Sequence, residues 1–520
     1  MSLLVGDGGY RWHTAIEARM RNQETELGWD LQIPDTPETG RHAEPLQREK
    51  QPKVARESDH PIVLRDGRAV HTGKGVTVIR SPQRPLAPDR VGPENVEPTF
   101  LRALSIKAGT AKAHRFQSLY GSLDESLLRL AWSKLNKHGA PGVDRVTIAQ
   151  YGERLEENIQ ALVERLKRGE YRSRLIRRKY IPKGNGKERP LGIPVVEDRL
   201  LQGAVRLLLE TIYETDFLPL SYGYRPGVGA QQAVKELTFE LQFGRYGHVV
   251  EADIKGFFDG LDHDWLLKML RERIDDEPFL GLIDSWLKAG ILERDGTLVH
   301  PHTGTPQGGV VSPVLSNIYL HYVLDLWFER VVKPSCRGQA HLIRFADDFL
   351  CAFQFKDEAE RFYRALPRRL EKFALKVAPE KTRLLRFSRF RASRKRRFTF
   401  LGFEFYWEAD SKGTPRVWRR TARKKLRAGI KACKEWLKAK RYLPLGVLLV
   451  KMARKVRGHY NYFRAVGNAR ALWRFDKEVT KLLHKWLNRR SQRRSLTWPQ
   501  LNRLLERLAF PRPTVAVGKA

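Results

Sequence analysis

The sequence predicts an α+β protein: a mixed region of hairpins and helices followed by a basic, all-helical domain. Three observations carry this. Apolar strand-like runs meet at short polar turns, as in "HLIRFADDFLCAFQF" from His341 to Phe355. Between them lie runs with apolar residues at helical spacing, such as "DRLLQGAVRLLLETIYETDF". The last 110 residues, 411–520, hold 31 Lys and Arg against 4 Asp and Glu, and helical spacing dominates there.

Taken in chain order, residues 1–98 stand apart. Ten prolines fall between Pro34 and Pro98 and apolar periodicity is poor, so an extended or disordered segment is expected. Trp12 and Trp29 within it read either as a small local cluster or as a partner anchor. From Phe116, "DESLLRLAWSKLNKH" is helical and stops at "GAPG". A second helical run, "TIAQYGERLEENIQALVERLKRGEY", precedes "RLIRRKYIPKGNGKERPLGIP", which reads as two strands joined at Gly-Asn-Gly. "HVVEADIKGFFDGLD" reads as a strand followed by a helical segment, and "HLIRFADDFLCAFQF" as a hairpin turning on Asp347 and Asp348. "DEAERFYRALPRRLEKFAL" reads as a helix that Pro367 is placed to kink, and "RFTFLGFEFYW" as one strand.

The bulk numbers narrow the class. A chain of 520 residues, 41% hydrophobic, supports two or three domains. Its net charge of +37 favours a polyanionic partner, nucleic acid before a membrane surface. No apolar run approaches the ~20 residues of a spanning helix, and the first residues lack the basic flank and apolar core of a signal peptide. Cys336, Cys351 and Cys433 form no CxxC pair. The expectation is an intracellular, cytoplasmic protein with reduced thiols.

Three carboxylates sit where apolar runs end. Asp253 closes "HVVEAD", and Asp347 and Asp348 sit at the hairpin tip. Isolated buried carboxylates lose their charge or cost several kcal/mol, and three together repel. Two divalent cations resolve this: Mg²⁺ takes carboxylate, phosphate and water oxygens, and a pair of ions aligns a hydroxyl with a triphosphate. An exposed Asp-Asp turn is the competing reading. "GTPQGGVVSPVLSNIYLHYVLD" offers a glycine-rich loop for close backbone approach, or an ordinary helix-capping loop. Arg177, Arg178, Lys179, Lys183, Lys187 and Arg189 on the first hairpin are triphosphate donors or plain surface charge.

These blocks together, over roughly 100–513, resemble the reverse transcriptases encoded within bacterial group II introns. The resemblance implies a right-hand polymerase: a Pro/Gly-rich extension at 1–98, an N-terminal extension and fingers at 99–240, and a palm at 241–410. It further implies a basic thumb or maturase domain at 411–475 and a DNA-binding-like tail at 476–520. It makes Asp253, Asp347 and Asp348 catalytic and metal-binding, with the backbone of Ile254, and implies two Mg²⁺ ions, Mn²⁺ being possible. "FADD" stands for the family's YADD, with Phe345 lacking the hydroxyl. Phe258 matches the aromatic gate against the nucleotide 2′-OH. Lys179, Lys183, Arg189, Gln307 of "TPQGG" and Lys381 of "PEKT" are implied dNTP contacts. "SYGYRP" has Tyr224 where the family usually has phenylalanine, and "FLGF" matches a later palm motif.

The implied partners are group II intron RNA, an RNA template with a DNA primer, target DNA and dNTPs; oligomeric state stays open. Charge at helical spacing in the basic domain points to Arg419, Arg420, Arg423, Lys424, Lys425, Arg427, Lys431, Arg454 and Arg457 as nucleic-acid contacts, with Arg489 and Arg490 in the tail. His459, Tyr460 and Tyr462 of "GHYNYF" stack on bases or pack the bundle. The HNH endonuclease of many relatives, with its paired cysteines, finds no match, so second-strand cleavage is not expected. The expected function is RNA-directed DNA synthesis with promotion of splicing and retromobility. The alternatives are a free-standing or domesticated reverse transcriptase, or a non-enzymatic RNA-binding splicing cofactor.

Overall fold

The hairpin over 340–353 is buried on both faces, which explains why its strands are near-continuous apolar runs rather than alternating ones. In the computed structural model, residues 99–182, 188–490 and 496–514 are described. The 1–98 extension, with Trp12 and Trp29, lies outside them, as do Lys183, Lys187, the Gly-Asn-Gly turn and the "SQRRS" of the tail.

Helices α1 (Thr99–Thr110), α2 (Glu125–Lys134), α3 (Ile148–Glu153) and α4 (Leu155–Lys167) come first. Asp124 caps α2 by accepting from the Leu127 N–H, and a Thr147–Gln150 capping box starts α3. Strands β1 (Ile176–Pro182) and β2 (Glu188–Ile193) pair antiparallel, as expected. Helix α5 (Val196–Tyr213) is buried along most of its length and packs against α1 and α2. Helix α6 (Ala230–Phe243) leads into β3 (His248–Asp253), then come α7 (His263–Arg271), α8 (Glu277–Leu287) and the short β4 (Ile291–Leu292) and β5 (Leu298–Val299). Helix α9 (Ser312–Leu320) continues through two π-helical turns, His321–Asp325 and Phe328–Val332.

The predicted hairpin is β6 (Ala340–Phe345) and β7 (Asp348–Phe353), followed by α10 (Lys356–Glu371), which runs on through Pro367. With β3 and β8 (Arg383–Arg386) they form a sheet in the order β6-β7-β3-β8. Period-2 alternation assigns its side chains to two cores. Val250, Ala252, Leu342, Phe349, Cys351 and Phe353 join the core built by α1 to α5 and α7 to α10. Val249, Ile343, Leu350 and Ala352 join a second core shared with the C-terminal helices.

The single strand expected over "RFTFLGFEFYW" is two. Strands β9 (Arg397–Phe400) and β10 (Phe403–Ala409) turn back at Leu401 and Gly402, whose φ of 49° and 80° both lie in the left-handed region. A two-residue hairpin loop needs those angles to match the strand twist. Strand β11 (Pro415–Thr421) completes this sheet, so the helical domain expected from 411 begins with a strand, and a boundary at 410/411 cuts the β10–β11 hairpin. Helices α11 (Arg423–Lys440), α12 (Leu445–Phe463), α13 (Ala469–Asn488) and α14 (Trp498–Arg507) follow. The boundaries expected at 240/241 and 475/476 fall inside α6 and α13. Among the described residues, no helix is long and apolar enough to cross a membrane.

Candidate active site

The register of β3, β6 and β7 brings the three aspartates to one end of the sheet. Asp253 pairs with Asp348 across β3 and β7, so their side chains share a face. Phe345 pairs with Asp348, leaving Ala346 and Asp347 as a two-residue turn. Ala346 has φ 57°, a conformation that costs a non-glycine residue and persists where its surroundings over-determine it.

Those surroundings are visible. Gly223 of the "SYGYRP" loop lies so close to the turn that a Cβ would stand 2.3 Å from the Ala346 backbone nitrogen. The Tyr222 N–H donates to the Arg344 carbonyl and the Arg344 N–H to the Leu220 carbonyl, both at 2.9 Å. Beneath the turn, Arg344 is fully buried and clasps the equally buried Asp325, with Nε to Oδ1 at 2.7 Å. Its Nη1 donates to Asn317 Oδ1 at 3.0 Å and to the Ala346 carbonyl at 3.2 Å, and Asn317 Nδ2 reaches the Gly223 carbonyl at 2.7 Å. Sequence reasoning missed this cradle. Its signal was an arginine inside the apolar strand "HLIRFA" and an aspartate inside the apolar "IYLHYVLDLW".

The carboxylates above the turn have no such clasp. Burial raises the Asp347 carboxyl above its ordinary range, with the Asp253 charge adding to it. Asp348 is pushed up to about 7 by burial and by the charges of Asp253, Asp347 and Glu251. Lys381 places its ammonium on Asp253 Oδ2, which raises the Lys381 pKa. The segment carrying Lys381 is fixed to the end of β3 by the Ala378 N–H donating to the Asp253 carbonyl at 2.8 Å and by pairing of Ile254 with Val377.

The nucleotide-contact candidates divide. Phe258 is brought in: its ring meets Tyr224 edge-on at 6.4 Å, and the Asp347 charge raises the Tyr224 hydroxyl pKa after burial. Arg189 acts electrostatically on both Asp347 and Tyr224. The β1–β2 register puts Lys179 on the same face of the hairpin as Arg189, and both are exposed. Arg178 instead pairs with Glu293 at 3.0 Å on the other face. The Gln307 carbonyl accepts the Gly192 N–H at 2.8 Å, and a Cβ on Gly308 would meet the Gly192 carbonyl at 2.4 Å. The Thr305 N–H donates to the Phe258 carbonyl at 2.8 Å. Gly308 of "TPQGG" therefore serves backbone-to-backbone packing on β2, while Thr305 ties the same loop to the Phe258 segment.

The basic domain sorts its candidates too. Arg423, Lys424, Lys425, Arg427, Lys431, Arg454, Arg457, Arg489 and Arg490 are exposed. Two expected nucleic-acid contacts, Arg419 and Arg420, and two residues open to either reading, His459 and Tyr460, are engaged in packing. Arg419 is part-buried and donates to Thr238 Oγ1, with burial lowering its pKa. Arg420 pairs with Glu404 at 2.6 Å and covers Tyr406. His459 stacks on Phe475 at 3.7 Å, its pKa lowered to about 4 by burial, so it is neutral within the bundle. Tyr460 is buried and donates to Asp476 at 2.8 Å. Tyr462 is half-exposed: its hydroxyl donates to the Leu401 carbonyl at 3.1 Å, and after burial the Asp348 charge raises its pKa. The N–H of that same Leu401 in turn draws the Asp348 pKa down.

Among the described residues, no group of three or more His, Cys, Asp or Glu side chains is placed to hold a metal ion by itself. That agrees with the donor chemistry present, because Mg²⁺ is commonly held by one or two carboxylates together with substrate phosphates and water. Mutually repelling hard oxygen donors, one already taking a lysine ammonium, fit a divalent cation.

Residues 181–405 match the family model described as reverse transcriptase (RNA-dependent DNA polymerase), and residues 423–504 match the group II intron, maturase-specific domain. The chain is similar to protein YkfC of Escherichia coli (strain K12), 38% identical over 245 residues, which are 45% of this chain and 64% of that one. It is 46% identical over 176 residues to the group II intron-encoded protein LtrA of Lactococcus lactis subsp. cremoris, covering 33% of this chain and 29% of that protein. Nuclear intron maturase 4, mitochondrial, of Arabidopsis thaliana is 30% identical over 151 residues, 29% of this chain and 18% of its own. The matched stretches thus span less than two thirds of each relative's length.

Proposed function

We propose that this chain, which belongs to the reverse transcriptases that carry a group II intron maturase-specific domain, is an RNA-directed DNA polymerase that also binds its intron RNA and promotes splicing and retromobility. The observation that carries the reading is the opposition of Asp253 and Asp348 across β3 and β7, with Asp347 on the turn between β6 and β7. Bound divalent cations, Mg²⁺ in the first instance, would supply charge neutralisation for attacking and leaving oxygens.

The protein's own residues do the positioning. Asp253, Asp347 and Asp348 would hold the ions, with the Ile254 backbone beside them. Arg189 and Lys179 present cations on one face of the fingers hairpin toward the triphosphate, and Lys381 stands at Asp253. Phe258, held by Thr305 and backed by Tyr224, forms a wall where a ribose 2′-OH would sit, which selects deoxynucleotides by exclusion. The central sheet acts as palm, and α11 to α14 as thumb and maturase domain. A template–primer hybrid is gripped through its backbone, and the exposed cations of α11 and α12 suit that. Target DNA remains a partner of the tail around Arg489 and Arg490.

The test is primer extension with an RNA template beside splicing of the flanking intron RNA. Asp347→Ala is expected to abolish dNTP addition while leaving RNA affinity almost intact. Persisting extension would remove the metal assignment. Extension without any effect on splicing would leave a free-standing reverse transcriptase.

A further inference from the structure

One surface belongs to neither the carboxylate end of the sheet nor the helical domain. Strand β8 leaves the central sheet at Arg386, which pairs with His248 at the opposite end of β3 from Asp253. Five residue steps along β3 separate the two ends, about 16 Å at 3.3 Å per residue. From Arg386 to Arg397 the chain carries seven Lys and Arg and no acidic residue. Arg394 and Arg397 are spent on Glu408 and Glu404. Arg386, Arg391, Lys395 and Arg396 are exposed, with no ion-pair partner among the described residues.

The same surface is aromatic. Phe390 is 86% exposed, an extreme value for so large an apolar ring. Arg389, whose guanidinium lies 6.0 Å from the Phe390 ring, donates to the Gly244 carbonyl and so pins this turn to the end of α6. There Phe243 and Phe239 are 64% and 50% exposed, with ring centroids 4.9 Å apart. Uncovered rings among unneutralised cations are poor design for a water-facing surface. A packed apolar protein partner would leave those cations buried and unpaired, which is costly. Single-stranded nucleic acid satisfies both features: bases stack on the rings and phosphates meet the cations.

We propose that Phe390, Phe243 and Phe239, with Arg391, Lys395 and Arg396, form a second RNA-binding surface that takes an unpaired stretch of RNA, separate from the template cleft. Unstacked loops are what a folded RNA offers for such recognition. The inference rests on the reading that the chain binds a structured RNA, and its test is independent of polymerisation.

The test uses the full chain with its cleft saturated by an RNA–DNA hybrid, and a labelled oligouridine of about 12 nucleotides, within the site sizes of single-strand binders. Phe390→Ala is expected to weaken oligouridine binding about tenfold, the scale of one lost stacking contact. Replacing Arg391, Lys395 and Arg396 with Gln is expected to lower the slope of log affinity against log salt by about 2, at ~0.7 per phosphate contact for a single strand. Extension of a short primer–template should be unchanged in both variants, and Asp347→Ala should bind oligouridine normally. Unchanged oligouridine affinity and slope would overturn the proposal. So would an equal loss of extension, which would place these residues in the cleft, or a change in oligomeric state without a change in RNA binding, which would make the surface a protein interface.

Discussion

The β6–β7 hairpin carries charge on both faces and treats it in opposite ways. On one face Arg344 and Asp325 are fully buried and bidentately paired, with Asn317 and the Ala346 carbonyl absorbing the remaining donors. On the other face Asp253 and Asp348 stand opposed with no arginine between them, and burial plus mutual repulsion drives Asp348 up to about 7. The two faces are one residue apart in register. A buried charge that finds its partner inside the protein fixes structure. Like charges crowded together without enough cation from the protein keep a place for one from outside.

The sharpest break between the faces would come from Asp348→Asn. Removing one like charge relieves repulsion, so the ligand-free protein is expected to melt at a higher temperature while dNTP addition is lost. A lower melting temperature would mean that Asp348 is held by contacts that outweigh the repulsion, and the contrast would fail. Arg344→Met should do the reverse. It strands the Asp325 carboxylate in the interior, at a cost of about 3–5 kcal/mol. Replacing both with apolar residues, Arg344→Met with Asp325→Leu, should recover much of that loss in denaturant unfolding. If the double variant is no better than the single, the pair supports the turn through Asn317 and Ala346 more than through charge balance.

How much of this was legible depended on whether a signal was local. The hairpin, the strand ending at Asp253 and the three aspartates are written in short runs that the structure keeps. The turn at Leu401–Gly402 was not, because an apolar run of aromatic residues hides a reversal that only backbone angles reveal. The cradle of Asp325, Asn317 and Gly223 joins residues up to about a hundred positions apart, and no spacing rule connects them. His459 and Tyr460 were ambiguous for a simpler reason: an aromatic side chain that packs a bundle and one that stacks on a base look alike in sequence.

The crowded carboxylate face can be titrated. The Asp348 carboxyl binds its proton more tightly in the folded protein than at its ordinary value near 3.8. Stability from this group is therefore full below about 4 and is lost as pH rises toward about 7. Ligand-free protein should lose melting temperature across that window, and Mg²⁺ should restore more of it at pH 8 than at pH 5, since the ion binds only the ionised form. An equal Mg²⁺ effect at both pH values would detach the ion from these carboxylates.

The smallest expected effect reaches the crowded carboxylate face from outside the polymerase region. The Tyr462 hydroxyl on α12 donates to the Leu401 carbonyl, its ring lies 6.3 Å from Phe403 and nearly parallel to it, and the Leu401 N–H acts on Asp348. The helical domain thereby reaches the Asp348 carboxylate through one strained turn. Tyr462→Phe removes only the hydroxyl and keeps the ring in place. A lost hydrogen bond of about 1 kcal/mol should shift melting by little. If it lets the turn move, the maximal rate of dNTP addition should fall about fivefold with affinity for primer–template unchanged. A fall in affinity at constant rate would assign Tyr462 to the nucleic acid. No change in either would mean that the hydroxyl merely caps a carbonyl, and that Asp348 is positioned by the register of β3 and β7 alone.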